Sequence, residues 1–319
     1  NGVEVLLKDN PSLQADMVVL AIGVTPDTAL AKEAGLELGI KGSIVVNDRM
    51  ETSVPDIYAA GDAVQVKHYV TGDDALISLA GPANKQGRII ADNICGGDSR
   101  YLGSQGSSVI KVFDMTAATT GINETNAKKS GLEVDTVILS PMSHAGYYPG
   151  GKVMTMKVVF EKETYRLLGA QIIGYEGVDK RIDVLATAIH AGLKATQLKD
   201  LDLAYAPPYS SAKDPVNMAG FMIDNIAKGT LKQWHLEDMD KISKDKSVVL
   251  LDVRTVGEFN RGHMDGFRNI PVDELRERIN EIEKGKPVYL ICQSGLRSYI
   301  ASRILEGNGY ETYNFSGGF

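Results

Sequence analysis

Two cysteines, Cys95 and Cys292, are all that 319 residues contain, too few for a disulfide framework and suited to a reducing compartment. No apolar run approaches the about 18 residues of a membrane-spanning helix, and no signal-peptide pattern opens the chain, so a cytoplasmic location is expected. The net charge is −7 and no basic, aromatic-rich patch occurs, which speaks against nucleic acid as a principal partner. His68, His144, His190, His235 and His263 show no metal-ligand spacing, so neither zinc nor iron is expected. No Gly-x-Gly-x-x-Gly is present, and a dinucleotide would need that phosphate-binding turn from upstream. The first residue is Asn1 rather than Met, in keeping with a piece of a longer protein.

What is there is enough apolar residue, 43%, for two or three packed units, since domains of about 100–200 residues are usual. The chain opens on Asn1-Gly2, a turn feeding a strand through Val3–Leu7. The segment Thr52-Ser53-Val54-Pro55-Asp56-Ile57-Tyr58-Ala59-Ala60-Gly61-Asp62 reads as a strand through Ile57–Ala59 that runs into Gly61 and Asp62. Gly61 allows close backbone approach to a ligand, and the Asp62 carboxylate can accept hydrogen bonds from sugar-alcohol hydroxyls. Met17–Asp27 reads as a buried strand broken at Gly23 and Pro26, followed by a helix over residues 28–34. A further helix opens at Leu79-Ala80-Gly81-Pro82-Ala83-Asn84, where Pro82 in the first turn lacks an N–H that would be unpaired anyway.

The Thr52–Asp62 segment resembles the second FAD motif of the pyridine-nucleotide-disulfide reductase family. The resemblance implies FAD bound by Gly61, Asp62, Ala80, Pro82 and Ala83, with the helix N-terminus at Ala80 aimed at the flavin. Met17–Asp27 is similar to that family's crossover from the NAD domain. From about Gly103, strands at Val109–Phe113, Val134–Leu139, Val153–Phe160 and Leu167–Gly174, with helices near Asn123–Gly131 and Asp179–Ala191, resemble its antiparallel-sheet interface domain. The implied fold is a mixed α/β and α+β multidomain chain. Residues 1–30 would end the NAD-binding domain, 31–102 form the C-terminal half of the FAD-binding domain, and 103–228 form the dimerisation domain. Residues 229–319 would be a rhodanese-like α/β domain.

That last assignment starts from the residues. Gly229–Trp234 reads as a linker, and Val248–Arg254 and Val288–Cys292 as buried strands of a small parallel α/β fold. Cys292 falls where a strand ends and a helix begins, facing backbone N–H groups and the positive end of the helix dipole, a setting that favours the thiolate nucleophile. Gly295 permits tight curvature and Arg297 brings a permanent charge able to hold an anionic sulfur donor. Cys-x-x-Gly-x-Arg resembles the rhodanese loop, whose cysteine carries sulfane sulfur as a persulfide. It is one residue too short for the related phosphatases. Cys95, beside Gly96-Gly97 with no basic neighbour, reads as structural, and Lys152, Lys157, Lys180 and Arg181 as solvated.

Tyr205-Ala206-Pro207-Pro208-Tyr209 is a rigid aromatic loop ahead of a helix. Similarity to coenzyme A-disulfide reductases and their rhodanese fusions implies that Tyr205 reaches toward flavin and thiol across a homodimer. Tyr147 would be its companion, or Tyr148, and Asn84 and Lys213 would contact coenzyme A. The resemblance implies an NAD(P)H-dependent oxidoreductase that reduces coenzyme A disulfide, persulfide or polysulfide through a redox cysteine outside this chain. A water-forming NADH oxidase on the same scaffold, and a rhodanese module that only docks or senses, are the alternatives.

Overall fold

The computed structural model describes residues 2–319, so the turn expected at Asn1-Gly2 lies partly outside the described residues. Two compact units result. One runs to Lys67 and from Asp74 to Leu102; the other contains His68–Asp73 and Gly103–Phe319.

In the first unit, β1 (Val3–Val5) and β2 (Leu13–Ala15) form an antiparallel ribbon, and α1 (Ala29–Glu33) follows. β3 (Ile44–Val45) pairs parallel with β4 (Val64–Lys67), which pairs antiparallel with β5 (Asp74–Ala75). α2 (Ala80–Ile94) covers a small core of Met50, Val64 and Val66. Met17–Asp27 is not a buried strand: it is unpaired, and Val19 and Ile22 are exposed. A segment apolar on both faces needs strands on either side, and among the described residues none pairs with it. Nor do Ile57–Ala59 form a regular strand. The turn closed by Ile57 N–H on Val54 O, with Asp56 at φ 65°, leaves only a single bridge from Tyr58 to Glu51. The regular strand β4 comes after Asp62, not before it.

The second unit begins with an antiparallel sheet of β6 (Ser108–Val112), β7 (Met115–Gly121), β8 (Val134–Leu139), β9 (Thr155–Glu161) and β10 (Leu167–Gly174), in the order β6-β7-β10-β9-β8. α3 (Glu124–Lys129) starts on an Asn123 side chain that accepts the Asn126 N–H, and α4 (Val178–His190) and α5 (Pro215–Ala227) complete this part. Val158, Leu168, Ile172, Leu185 and Ile223 form one continuous core. Asp214 caps α5 by accepting the Val216 N–H, and Pro215 occupies the first turn, where its missing donor costs nothing.

A parallel sheet follows, built from β11 (Gln233–Trp234), β12 (Val249–Asp252), β13 (Arg268–Asn269), β14 (Val288–Ile291) and β15 (Thr312–Phe315) in the order β11-β15-β14-β12-β13. Helices α6 (Met239–Ile242), α7 (Val256–Arg261) and α8 (Leu296–Glu306) connect these strands. The stretch expected to be a linker through Trp234 ends as the edge strand β11. Trp234 is 2% exposed, its ring 4.3 Å from that of Phe315 and its N–H donating to Leu290 O. Burying an indole with its polar tip satisfied makes it a core residue rather than a hinge. Among the described residues no helix is long and apolar enough to cross a membrane.

Candidate functional site

Val-Tyr-Leu-Ile in β14 is buried between β12 and β15, and the chain then turns sharply into α8. Cys292 occupies that turn, fully buried, with its Sγ receiving the Gly295 N–H at 3.1 Å and the Ser298 O–H at 3.2 Å. Gly295 stands at φ +86°, a left-handed conformation that costs glycine nothing and lets the loop curl around the sulfur. The sulfur therefore meets two donors at the N-terminal end of α8, a setting that stabilises an anion or a polarised persulfide. Ser298 was not singled out in the sequence; its place three residues beyond Gly295, one helical turn in, was the available signal.

Arg297 does not stand free to take an anionic donor, as the sequence suggested. Its guanidinium gives one N–H to each Glu258 carboxylate oxygen, both at 2.7 Å. The bond to Arg297 holds the Glu258 carboxyl far below the usual carboxylate range, and the same pairing raises the guanidinium. Glu258 also closes the capping box of α7 with Thr255, a Thr-x-x-Glu pattern legible in the sequence. Behind the loop, the Arg254 guanidinium donates to Asp252, Nη2 to Oδ2 at 2.6 Å, and to Gly262 O, with both side chains buried. Their place is structural.

Tyr147 and Tyr205 come together as expected of companions, their hydroxyls 2.6 Å apart and both exposed. The hydrogen bond to Tyr147 raises the Tyr205 hydroxyl above its ordinary value. The Tyr148 ring instead sits edge-on against His144 at 5.6 Å. What holds the two loops is Arg181, expected to be solvated but 1% exposed. It donates to Asp214 Oδ2 at 2.9 Å, to Ser143 O at 3.0 Å, to Ser210 Oγ at 3.1 Å and to Gly177 O at 3.1 Å. One guanidinium thus ties the segment leading to Tyr147, the segment following Tyr205 and the start of α4. Burial pushes the Asp214 carboxyl up, but the Ser210 and Arg181 bonds outweigh it and the net shift is down. Lys157 is not simply solvated either, since it pairs with Glu124 at 2.5 Å.

In the first unit, Gly61 takes φ +84° and opens a 3-10 turn carrying Asp62. A Cβ built on Gly61 would lie 3.9 Å from Ala83 Cβ, and its N–H donates to Gln86 Oε1 at 2.7 Å, so this turn adjoins the start of α2. No side chain caps α2, so the N–H groups around Ala80 and Gly81, ahead of Pro82, face outward beside an exposed Asp62. A glycine cradle, a carboxylate acceptor and an uncapped helix start fit a polyol-bearing, anionic ring cofactor. Asn84 turns its amide back to Ala80 O at 2.9 Å, on the helix surface. Lys213, exposed, lies at the edge of a cavity that it shares with Ser294–Leu296 of the cysteine loop. Cys95 is exposed at the end of α2, so it serves no packing role.

Residues 1–87 match the pyridine nucleotide-disulphide oxidoreductase family, 107–215 its dimerisation domain, and 235–319 the rhodanese-like domain. The NAD(P)H sulfur oxidoreductase (CoA-dependent) of Pyrococcus furiosus is 39% identical over 214 residues, 67% of this chain and 48% of its own length. The structure of reduced CoADR-RHD from Bacillus anthracis is 48% identical with a TM-score of 0.95, covering 99% of this chain and 57% of the other. A NAD-dependent persulfide reductase from A. fulgidus is 42% identical with a TM-score of 0.87, covering 96% of this chain and 56% of the other. The chain spans about half the length of the curated relatives it matches.

Proposed function

Because the chain joins domains of the pyridine nucleotide-disulphide oxidoreductase family to a rhodanese-like domain, we propose that it is part of an FAD-dependent NAD(P)H oxidoreductase acting on coenzyme A disulfide, coenzyme A persulfide or polysulfide, in which Cys292 handles sulfane sulfur. The observation that carries this reading is the Cys292 Sγ held by the Gly295 N–H and the Ser298 O–H at the head of α8. The relatives, a CoA-dependent NAD(P)H sulfur oxidoreductase and a NAD-dependent persulfide reductase, support it.

In the sulfur-transfer step the Cys292 thiolate attacks the outer sulfur of a persulfide R–S–SH. The R–S–S bond breaks, Cys292 becomes Cys–S–SH, and R–S⁻ departs, with no net change in oxidation level. Gly295 and Ser298 stabilise the sulfur before and after the step. When bound, FAD supplies the two-electron relay between nicotinamide and a disulfide. Gly61, Asp62, Ala80, Pro82 and Ala83 would hold it, with Tyr205 toward it from the partner protomer of a homodimer with a shared active site. The Tyr205 hydroxyl, hydrogen-bonded to that of Tyr147, would donate a proton to a departing thiolate. Asn84 and Lys213 would contact coenzyme A.

The test is mass spectrometry of Cys292 after the full-length protein meets coenzyme A persulfide, together with a visible spectrum during anaerobic NADH titration. One added sulfur on Cys292 and a bleaching yellow chromophore are expected. An unmodified Cys292, or colourless protein after reconstitution with FAD, would overturn the reading.

A further inference from the structure

His144 stands in the loop between β8 and β9, three residues ahead of Tyr147, and is 4% exposed. Its Nδ1 lies 3.1 Å from the Ala145 carbonyl oxygen, which can only accept. Nδ1 therefore carries the proton, and the neutral ring keeps its lone pair on Nε2. Among the described residues Nε2 has no hydrogen-bond partner. The ring is held in place by the edge of Tyr148 and by Gly151, where a Cβ would come within 3.1 Å of Cε1. It lines a cavity of about 520 Å³ whose wall also includes Tyr205, Glu176, Lys180 and Arg181. Asp214 attracts both cations, with Arg181 Nη2 at 2.9 Å and Lys180 Nζ at 4.0 Å. Together with Glu176 the formal charges around the cavity cancel. Water in such a space can bridge a ring nitrogen and a hydroxyl.

Reduction of a disulfide by NAD(P)H consumes one solvent proton per turnover, and Tyr205 is left as a phenolate each time it protonates a departing thiolate. Tyr147 cannot refill it: giving up its own proton would only move the phenolate to an oxygen 2.6 Å away. In the proposed homodimer Tyr205 faces the partner protomer, which leaves the cavity beside it as a route for protons. We propose that His144 returns the proton to Tyr205 across this cavity. In the imidazolium form the Nε2–H bond breaks and its electron pair stays on the ring. The proton passes through water, and the tyrosyl O–H bond forms again. Nothing is oxidised or reduced, and the neutral ring recharges from solvent. His144 thus acts through Tyr205 and not on the substrate. The inference rests on the reading of Tyr205 as proton donor and supplies the step that resets it.

The experiment measures steady-state reduction of coenzyme A disulfide by NADH in the full-length protein carrying His144→Asn, Tyr205→Phe or both. Asparagine keeps an N–H donor at the same bond distance from the backbone as Nδ1, so the bond to Ala145 O is retained while Nε2 is deleted. His144→Asn is expected to lower kcat by roughly tenfold to a hundredfold, at or below the low end of general acid–base effects, with KM little changed. Imidazole buffer, a small proton carrier, should restore part of kcat in the variant and leave the wild type unmoved. In the Tyr205→Phe background the same replacement should cost almost nothing more, because the two residues act as a unit. Equal losses in both backgrounds, or a kcat indifferent to imidazole, would mean that His144 only packs the loop and would overturn the relay. If His144→Asn fails to fold, His144→Gln, whose amide cannot carry the charge, is judged by the same criteria. A Tyr205→Phe variant that loses nothing by itself removes the donor reading and the relay with it, a failure distinct from additive losses.

Discussion

Arg297 and Glu258 meet as a two-pronged pair across the mouth of the Cys292 loop, one N–H to each carboxylate oxygen at 2.7 Å. The guanidinium that closes the loop is therefore held from outside it, by the helix that follows β12. Loop geometry and α7 are coupled through one ion pair with matched planar geometry.

This pairing sets a pH dependence. The Glu258 carboxyl is depressed below its ordinary 4.5 by the bond to Arg297, so its stabilisation is present above that value and is lost as pH falls below it. The melting temperature of Glu258→Gln should lie below that of the wild type at pH 7. The gap should narrow on acidification past the ordinary carboxylate range. A gap that stays constant down to strong acid would show that the charge of Glu258 does not matter.

Cys292→Ser in the full-length protein should abolish sulfur transfer while leaving reduction of small disulfides largely intact. Parallel assays with thiosulfate and with a simple disulfide check this, and joint loss of both activities would argue against two separable sites.

Arg181→Met should destabilise the second unit by about 3–5 kcal/mol, because Asp214 would be left buried without its partner. Denaturant unfolding measures the loss. The double replacement Arg181→Met with Asp214→Leu should recover part of it, and no recovery would mean that packing rather than charge dominates.

Tyr147→Phe should bring the Tyr205 hydroxyl back down toward the ordinary tyrosine range, since the bond between the two hydroxyls raises it. Ultraviolet difference titration reads the tyrosinate directly. An unmoved titration curve would mean that the two hydroxyls do not share a proton in solution.

His235 binds Asp135 at 3.1 Å, and that bond raises the imidazole above 6.5, with Asp238 and Glu124 acting in the same direction against burial. The stabilisation is complete below the unfolded value and disappears as pH rises through the folded one. Melting temperature should therefore fall across that window in the wild type and less so in His235→Gln. Fluorescence of Trp234, the sole tryptophan, offers a local probe next door.

Strands β8 and β10 were legible to the residue, because Val134–Leu139 and Leu167–Gly174 are apolar runs bounded by turns. β7 escaped notice: Met-Thr-Ala-Ala-Thr-Thr-Gly has few large apolar side chains, and its position between β6 and β10 makes it a strand. Met17–Asp27 misled in the opposite direction, since strand-like composition without neighbours forms no ladder. At the site, Cys292 and Gly295 stood out through their spacing, whereas Arg181, Glu258 and Asn314 act through contacts 33, 39 and 19 residues away in sequence. No local pattern encodes such distances, and the fold alone assembles them.

The sheet that carries Cys292 is riveted to its neighbour at several points: His235 to Asp135, Gln233 to Thr136 O, Asn225 to Tyr299 and Arg303 to Thr230 O. A body fastened at so many places cannot roam on a tether, so the Cys292 loop keeps a fixed position against the antiparallel sheet beside it.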